Sequence, residues 1–134
     1  MYLLDTNICI YIINHRPESV EQHLKSLKRS AVHLSTVSLA EMEYGAAKSS
    51  YPETSRRALH MFASAFDVLA FDDEDAEMYG IIRWNLENKG CPIGPYDMQI
   101  AAQALSKDLI LVTNNVKEFE RIPHLKIENW VSVN

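Results

Sequence analysis

Residues 96–115 read YDMQIAAQALSKDLILVTNN. Residues 96–105 suit a helix that follows the rigid CPIGP segment at 91–95, and Leu109–Val112 is a strongly apolar run that suits a buried strand. The polar trio Thr113, Asn114 and Asn115 follows at once. The N-terminus has the same pattern of strand and helix. Tyr2–Leu4 reads as a short buried strand ending at Asp5, and the helix after it carries Ile8–Ile13 before a turn region at Asn14–Pro17. Short continuous apolar strands separated by helices indicate parallel βαβ units, so the expected class is α/β with helices on both faces.

The stretch between these ends supplies the remaining units. Glu18–Lys28 reads as a helix with Val20, Leu24 and Leu27 on one face. Ala31–Thr36 reads as a strand, Ser38 starts a helix to about Lys48, and Pro52 opens another that presents Ala58, Leu59, Phe62 and Phe66 together. Val68–Phe71 is a third strand. The acidic run Asp72–Asp75 suits the positive N-terminal end of a long helix that Gly90 terminates. A short helix near Glu118 and Phe119 and a strand near Ile127 complete a sheet of about five strands.

The chain of 134 residues is 47% hydrophobic and 23% charged, a composition that suits one globular domain over 1–134. Cys9 and Cys91 form neither a disulfide framework nor a CxxC or Cys/His cluster, which argues against zinc and for a reduced, cytoplasmic chain. ICIYII is too short for a membrane span. A net charge of -5 excludes a protein that coats nucleic acid electrostatically, so any nucleic-acid contact needs a local basic patch and bound cations.

In a parallel α/β sheet, ligands bind outside the carboxyl ends of the strands, where strand order reverses. Asp5, Glu41, Asp97 and the Thr113–Asn115 segment are all expected on that rim. Taken singly, each acid reads as a helix cap. Asp5 precedes a helix, Ser38-Leu39-Ala40-Glu41 matches the capping box, and Asp97 follows Pro95 at a helix start. Taken jointly, three carboxylates without basic neighbours repel one another, and a divalent cation removes that conflict. Oxygen-only ligands favour Mg²⁺ or Mn²⁺, and such an ion suits phosphodiester hydrolysis.

Four segments, LLDTN at the start, STVSLAEMEYG, PIGPYDMQIAAQA and LVTNNVKEFERIP, together resemble the PIN-domain ribonucleases, specifically the VapC toxins of type II toxin–antitoxin modules. The resemblance covers nearly the whole chain. It implies a three-layer α/β/α fold, endoribonuclease activity with Mg²⁺ (Mn²⁺ substituting), and Asp5, Glu41 and Asp97 as metal ligands and activators of the attacking water. The family's fourth acid falls at Asn115, a neutral residue here, so one Mg²⁺ is expected rather than two, with Glu118 supplying charge indirectly. Thr6 and Thr113 are expected to orient the ligands. The resemblance further implies a homodimer, a cognate VapB antitoxin, and an RNA substrate of the tRNA class, with the anticodon loop of initiator tRNA(fMet) as the target in the enteric subgroup.

Rival readings fail on particular residues. A haloacid-dehalogenase-like phosphotransferase needs an acid two residues beyond Asp5, and Asn7 stands there. A receiver domain needs a lysine after a late strand, and LVTNN has none. A non-catalytic interaction module and a nuclease acting on DNA both remain as alternatives. The five histidines lack metal-ligand spacing. Tyr96 suits base stacking or packing equally, and Arg16, Lys25, Lys28, Arg29 and Lys48 suit either an RNA-contacting patch or a solvated face.

Overall fold

The computed structural model describes residues 1–131. Its elements are β1 Tyr2–Leu4, α1 Thr6–Ile13, α2 Glu18–Lys25, β2 Val32–Ser35, α3 Thr36–Ala47, α4 Pro52–Ala63, β3 Asp67–Leu69, α5 Asp73–Asn88, α6 Pro95–Ser106, β4 Ile110–Val112, α7 Val116–Phe119 and β5 Ile127–Glu128. The strands form one parallel sheet in the order β3-β2-β1-β4-β5. The expected α/β/α architecture is therefore present, with a sheet that is parallel throughout.

Alternation along the strands divides the core into two. Leu3 pairs in register with Leu111, and both face α5 and α6, where Ile82, Leu86, Met98 and Ile100 pack. Leu4 pairs with Val112 on the opposite face, against Ile8 and Ile12 of α1, Val20 of α2, Met42 of α3 and Leu59 of α4. Both faces being buried explains why the strands lack polar alternation in sequence.

Several helix ends explain departures from the sequence reading. α1 begins at Thr6 because the Asp5 carboxylate accepts from the Ile8 amide at 2.9 Å. α2 stops at Lys25 rather than Lys28, and the Ser26 hydroxyl turns back to the His23 carbonyl. Ala31 lies in a 3-10 turn, Arg29–Ala31, instead of the strand. β3 covers Asp67–Leu69, one residue earlier than read and without Ala70 and Phe71. The acidic run before α5 is a true capping box: Asp72 accepts from the Asp75 amide at 3.0 Å, and Asp75 accepts from the Asp72 amide at 2.9 Å. Ser106 donates to the fully buried Asp75, and Lys107 reaches Asp72 at 2.6 Å, so the start of α5 is tied to the end of α6.

Chain order runs β1, β2, β3 outward on one side, and β4 returns to pair on the other side of β1. The strand order thus reverses between β1 and β4, which places the crevice at the carboxyl ends of those two strands. Among the described residues no helix is long and apolar enough to cross a membrane.

Candidate active site

Asp5 leaves the carboxyl end of β1 and is held by its backbone, whose N–H donates to the Val112 carbonyl at 3.0 Å across the switch point. Its side chain is 4% exposed. Burial raises the carboxyl above its ordinary range and the charge of Glu41 adds to this, while the Thr113 hydroxyl and the Ile8 amide oppose it. Asp5 is both a helix cap and a member of an acidic cluster.

Glu41 lies differently from the sequence reading. Ser35, not Ser38, caps α3, accepting from the Val37 amide at 3.0 Å. The match of Ser38 and Glu41 to a capping box is therefore overturned: both sit inside the helix, and Glu41 is beyond its first turn. The physical reason is that β2 ends at Ser35, one residue earlier than read, and α3 starts at Thr36, so Ser35 meets the free amides first. Glu41 instead accepts from Thr6 Oγ1 at 2.6 Å, and Thr6 Oγ1 lies 3.0 Å from Ser38 Oγ. One hydroxyl carries one proton, so Thr6 gives its proton to the carboxylate and Ser38 donates to Thr6. Ser38 is fully buried and was not singled out as a site residue from the sequence. Its spacing of three from Glu41 on one helix face is the signal that would have found it.

Asp97 stands in the first turn of α6, behind Gly94 and Pro95. Its Oδ2 folds back to 3.9 Å from the position a Gly94 Cβ would take. Its pKa is pushed from 3.8 up to about 6, first by burial and then by the charges of Asp5, Glu118 and Glu41. No hydrogen bond or cation among the described residues offsets these effects at Asp97. The helix dipole alone leaves it strained electrostatically.

Asn115 does not reach the acids directly. Its amide donates to Thr113 Oγ1 at 2.9 Å, and its Nδ2 donates to Glu118 Oε2 at 2.7 Å. Thr113 in turn binds Asp5, and Glu118 acts on Asp97. The seven residues singled out from the sequence thus share one network. It has Asp5, Glu41, Asp97 and Glu118 as mutually repelling charges, and Thr6, Thr113 and Asn115 as the groups that position them.

Among the described residues, no lysine, arginine or histidine pairs with any of these four acids. No trio of acidic, histidine or cysteine side chains among them is already drawn in to the spacing of metal ligands. The donor set nevertheless fits a hard divalent ion. It offers only carboxylate oxygens, carries excess negative charge, and supplies few protein ligands, as Mg²⁺ sites that keep several waters do. Cys9, one turn along α1, is raised well above its ordinary range by burial and by Asp5, so it offers no thiolate.

The PIN-domain family model matches residues 2–125. The chain is 43% identical over 131 residues to Ribonuclease VapC2 of Rickettsia felis, covering 97% of this chain and 98% of that protein. It is 43% identical over 129 residues to the tRNA(fMet)-specific endonuclease VapC of Salmonella typhimurium, covering 96% and 97%. Its fold is similar to the crystal structure of DNA-bound VapBC from Salmonella typhimurium, with a TM-score of 0.92 over 97% of this chain and 98% of the other, at 43% identity. It is also similar to VapBC2 from Rickettsia felis bound to a promoter DNA fragment, with a TM-score of 0.91 over 97% and 98%, at 42% identity. With match, coverage and rim geometry in agreement, this chain belongs to the PIN-domain family and, within it, to the VapC ribonucleases.

Proposed function

We propose that this protein is the toxin of a type II toxin–antitoxin module and acts as a Mg²⁺-dependent endoribonuclease, with Mn²⁺ able to substitute. The observation that carries the reading is the cluster of four coupled, cation-free carboxylates at the switch point of the sheet. Asp5 and Asp97 would hold the ion, and Glu41 would complete its surroundings. When bound, the ion supplies charge neutralisation at a phosphodiester and a lowered pKa for water.

The chain's own residues do the rest. Asp5 is fixed through Val112 and Ile8, which would hold its carboxylate in place toward an ion. Glu41, oriented by Thr6, would take a proton from the attacking water. Glu118 supplies negative charge in the region where Asn115 replaces an acid, and Asn115 holds Glu118 in place. One ion suits this set better than two.

The substrate is RNA of the tRNA class, with the initiator tRNA(fMet) anticodon loop as the specific target. The name of the Salmonella relative supports that target. The solved relatives are VapBC complexes, which supports a cognate VapB antitoxin as partner. An arginine or lysine from its C-terminal tail would pair with the free carboxylates. We place the toxin as a homodimer in the cytoplasm. Mapping RNA ends after brief induction tests the activity, with Asp5→Ala as control. A dominant cut in one tRNA that vanishes in the control supports it; identical ends in both samples overturn the site.

A further inference from the structure

We infer that Tyr44 and Lys48 form an RNA-contacting step on α3, where Tyr44 stacks on an unpaired base near the scissile phosphate and Lys48 pairs with a phosphate further along the strand. This rests on the ribonuclease reading above. α3 starts at the rim and carries Glu41 into the acidic cluster. Tyr44 and Lys48 lie three and seven residues further, on the same stripe of the helix. At a rise of 1.5 Å per residue they stand about 4.5 and 10.5 Å along the axis from Glu41. The Tyr44 spacing matches roughly one nucleotide at about 3.4 Å per stacked base, and the Lys48 ammonium, folded back to 4.8 Å from the Tyr44 ring centroid, faces the phosphate that follows that base.

The chemistry of the pair fits a single strand. Tyr44 is 67% exposed, and Lys48 Nζ sits over one face of its ring, 4.8 Å from the centroid, which leaves the other face for a base. Lys25, Arg56, Arg57, Arg83, Lys107 and Lys126 all pair with carboxylates. Among the described residues Lys48 pairs with none, as is also true of Arg16, Lys28, Lys89 and Lys117, and Lys48 differs from these in sitting over an exposed tyrosine ring. An uncompensated cation on an exposed aromatic, in a chain of net charge -5, is complementary to a flexible polyanion with flat bases.

The test titrates a short, unstructured, fluorescein-labelled RNA with the full chain in EDTA, which separates binding from cleavage. Tyr44→Ala should weaken affinity about 5- to 100-fold, the loss of one base–aromatic stack, whereas Tyr44→Phe should bind like wild type. Lys48→Gln should lower the slope of log affinity against log salt by about 0.7, one phosphate on a single strand. Wild-type affinity in Tyr44→Ala, or an unchanged slope in Lys48→Gln, overturns the inference. So does intact RNA affinity in a Tyr44→Ala protein that has lost self-association or antitoxin binding, since the face would then be a protein interface. Failure of the hydrolytic site would show instead as continued cleavage by Asp5→Ala, which these affinities do not report.

Discussion

Asp97 shows how a single residue carries both stability and chemistry. Its folded-state pKa, about 6, lies above the ordinary 3.8, so the folded chain holds this proton more tightly than the unfolded chain. The stabilisation is complete below pH 3.8 and is lost as pH rises through about 6. At neutral pH the ionised carboxylate therefore destabilises the metal-free protein. Asp97→Asn should raise the stability of that form at pH 7 by about 1–2 kcal/mol after solvent screening, while RNA cleavage disappears. Thermal denaturation in EDTA would check it, and a lower melting temperature for Asp97→Asn would contradict the electrostatic account. Divalent-ion affinity, followed by calorimetry, should weaken as pH falls below about 6, because the ion must displace the same proton.

At the scale of elements, α5 and α6 show which local signals govern. Gly90 has φ 71 and closes α5, with its amide donating to the Glu87 carbonyl at 3.0 Å and Cys91 donating to Leu86 at 2.9 Å. Gly80 sits inside the same helix, where a Cβ would meet nothing within 4 Å. The two glycines should respond oppositely to alanine. Gly80→Ala should stabilise by about 0.5–1 kcal/mol through helix propensity. Gly90→Ala should destabilise by about 1 kcal/mol, since the left-handed conformation is costly for any residue with a Cβ. Denaturant unfolding of both variants checks the pair, and equal signs would refute the argument. Asp108 adopts φ 53 just beyond the end of α6 without glycine, and that helix stops at Ser106, one residue past the sequence reading.

At the scale of the molecule, the two cores need the far end of the chain to close one of them. Trp130 is 3% exposed, stacks on His23 of α2 at 4.4 Å between centroids, and meets Tyr2 of β1 edge-on at 5.7 Å. Its indole N–H donates to Glu128 of β5 at 2.9 Å. Trp130 therefore joins the last strand, the first strand and α2 beneath the sheet. Trp130→Ala should cost about 3–5 kcal/mol, a large share of the stability of a domain this size. A melting temperature within a few degrees of wild type would show that this closure is dispensable. A destabilisation without loss of cleavage per folded molecule would place the effect in the fold rather than the site.

The sequence by itself determined the alternation of strand and helix, because unbroken apolar runs such as Leu109–Val112 can be buried on both faces only in a parallel sheet. It also placed Asp5 at the end of the first strand and Asp97 in the first turn of a helix. Local spacing did not decide what Glu41 does, since S-x-x-E is satisfied in sequence whether or not Ser38 is the cap. Tertiary structure decided that by ending β2 at Ser35 and turning Glu41 toward Thr6, 35 residues away in the chain. Likewise, the raised pKa of Asp97 arises first from its burial and then from Asp5, Glu118 and Glu41, which other elements bring near it. Charge repulsion depends on distance through space, and folding alone sets that distance.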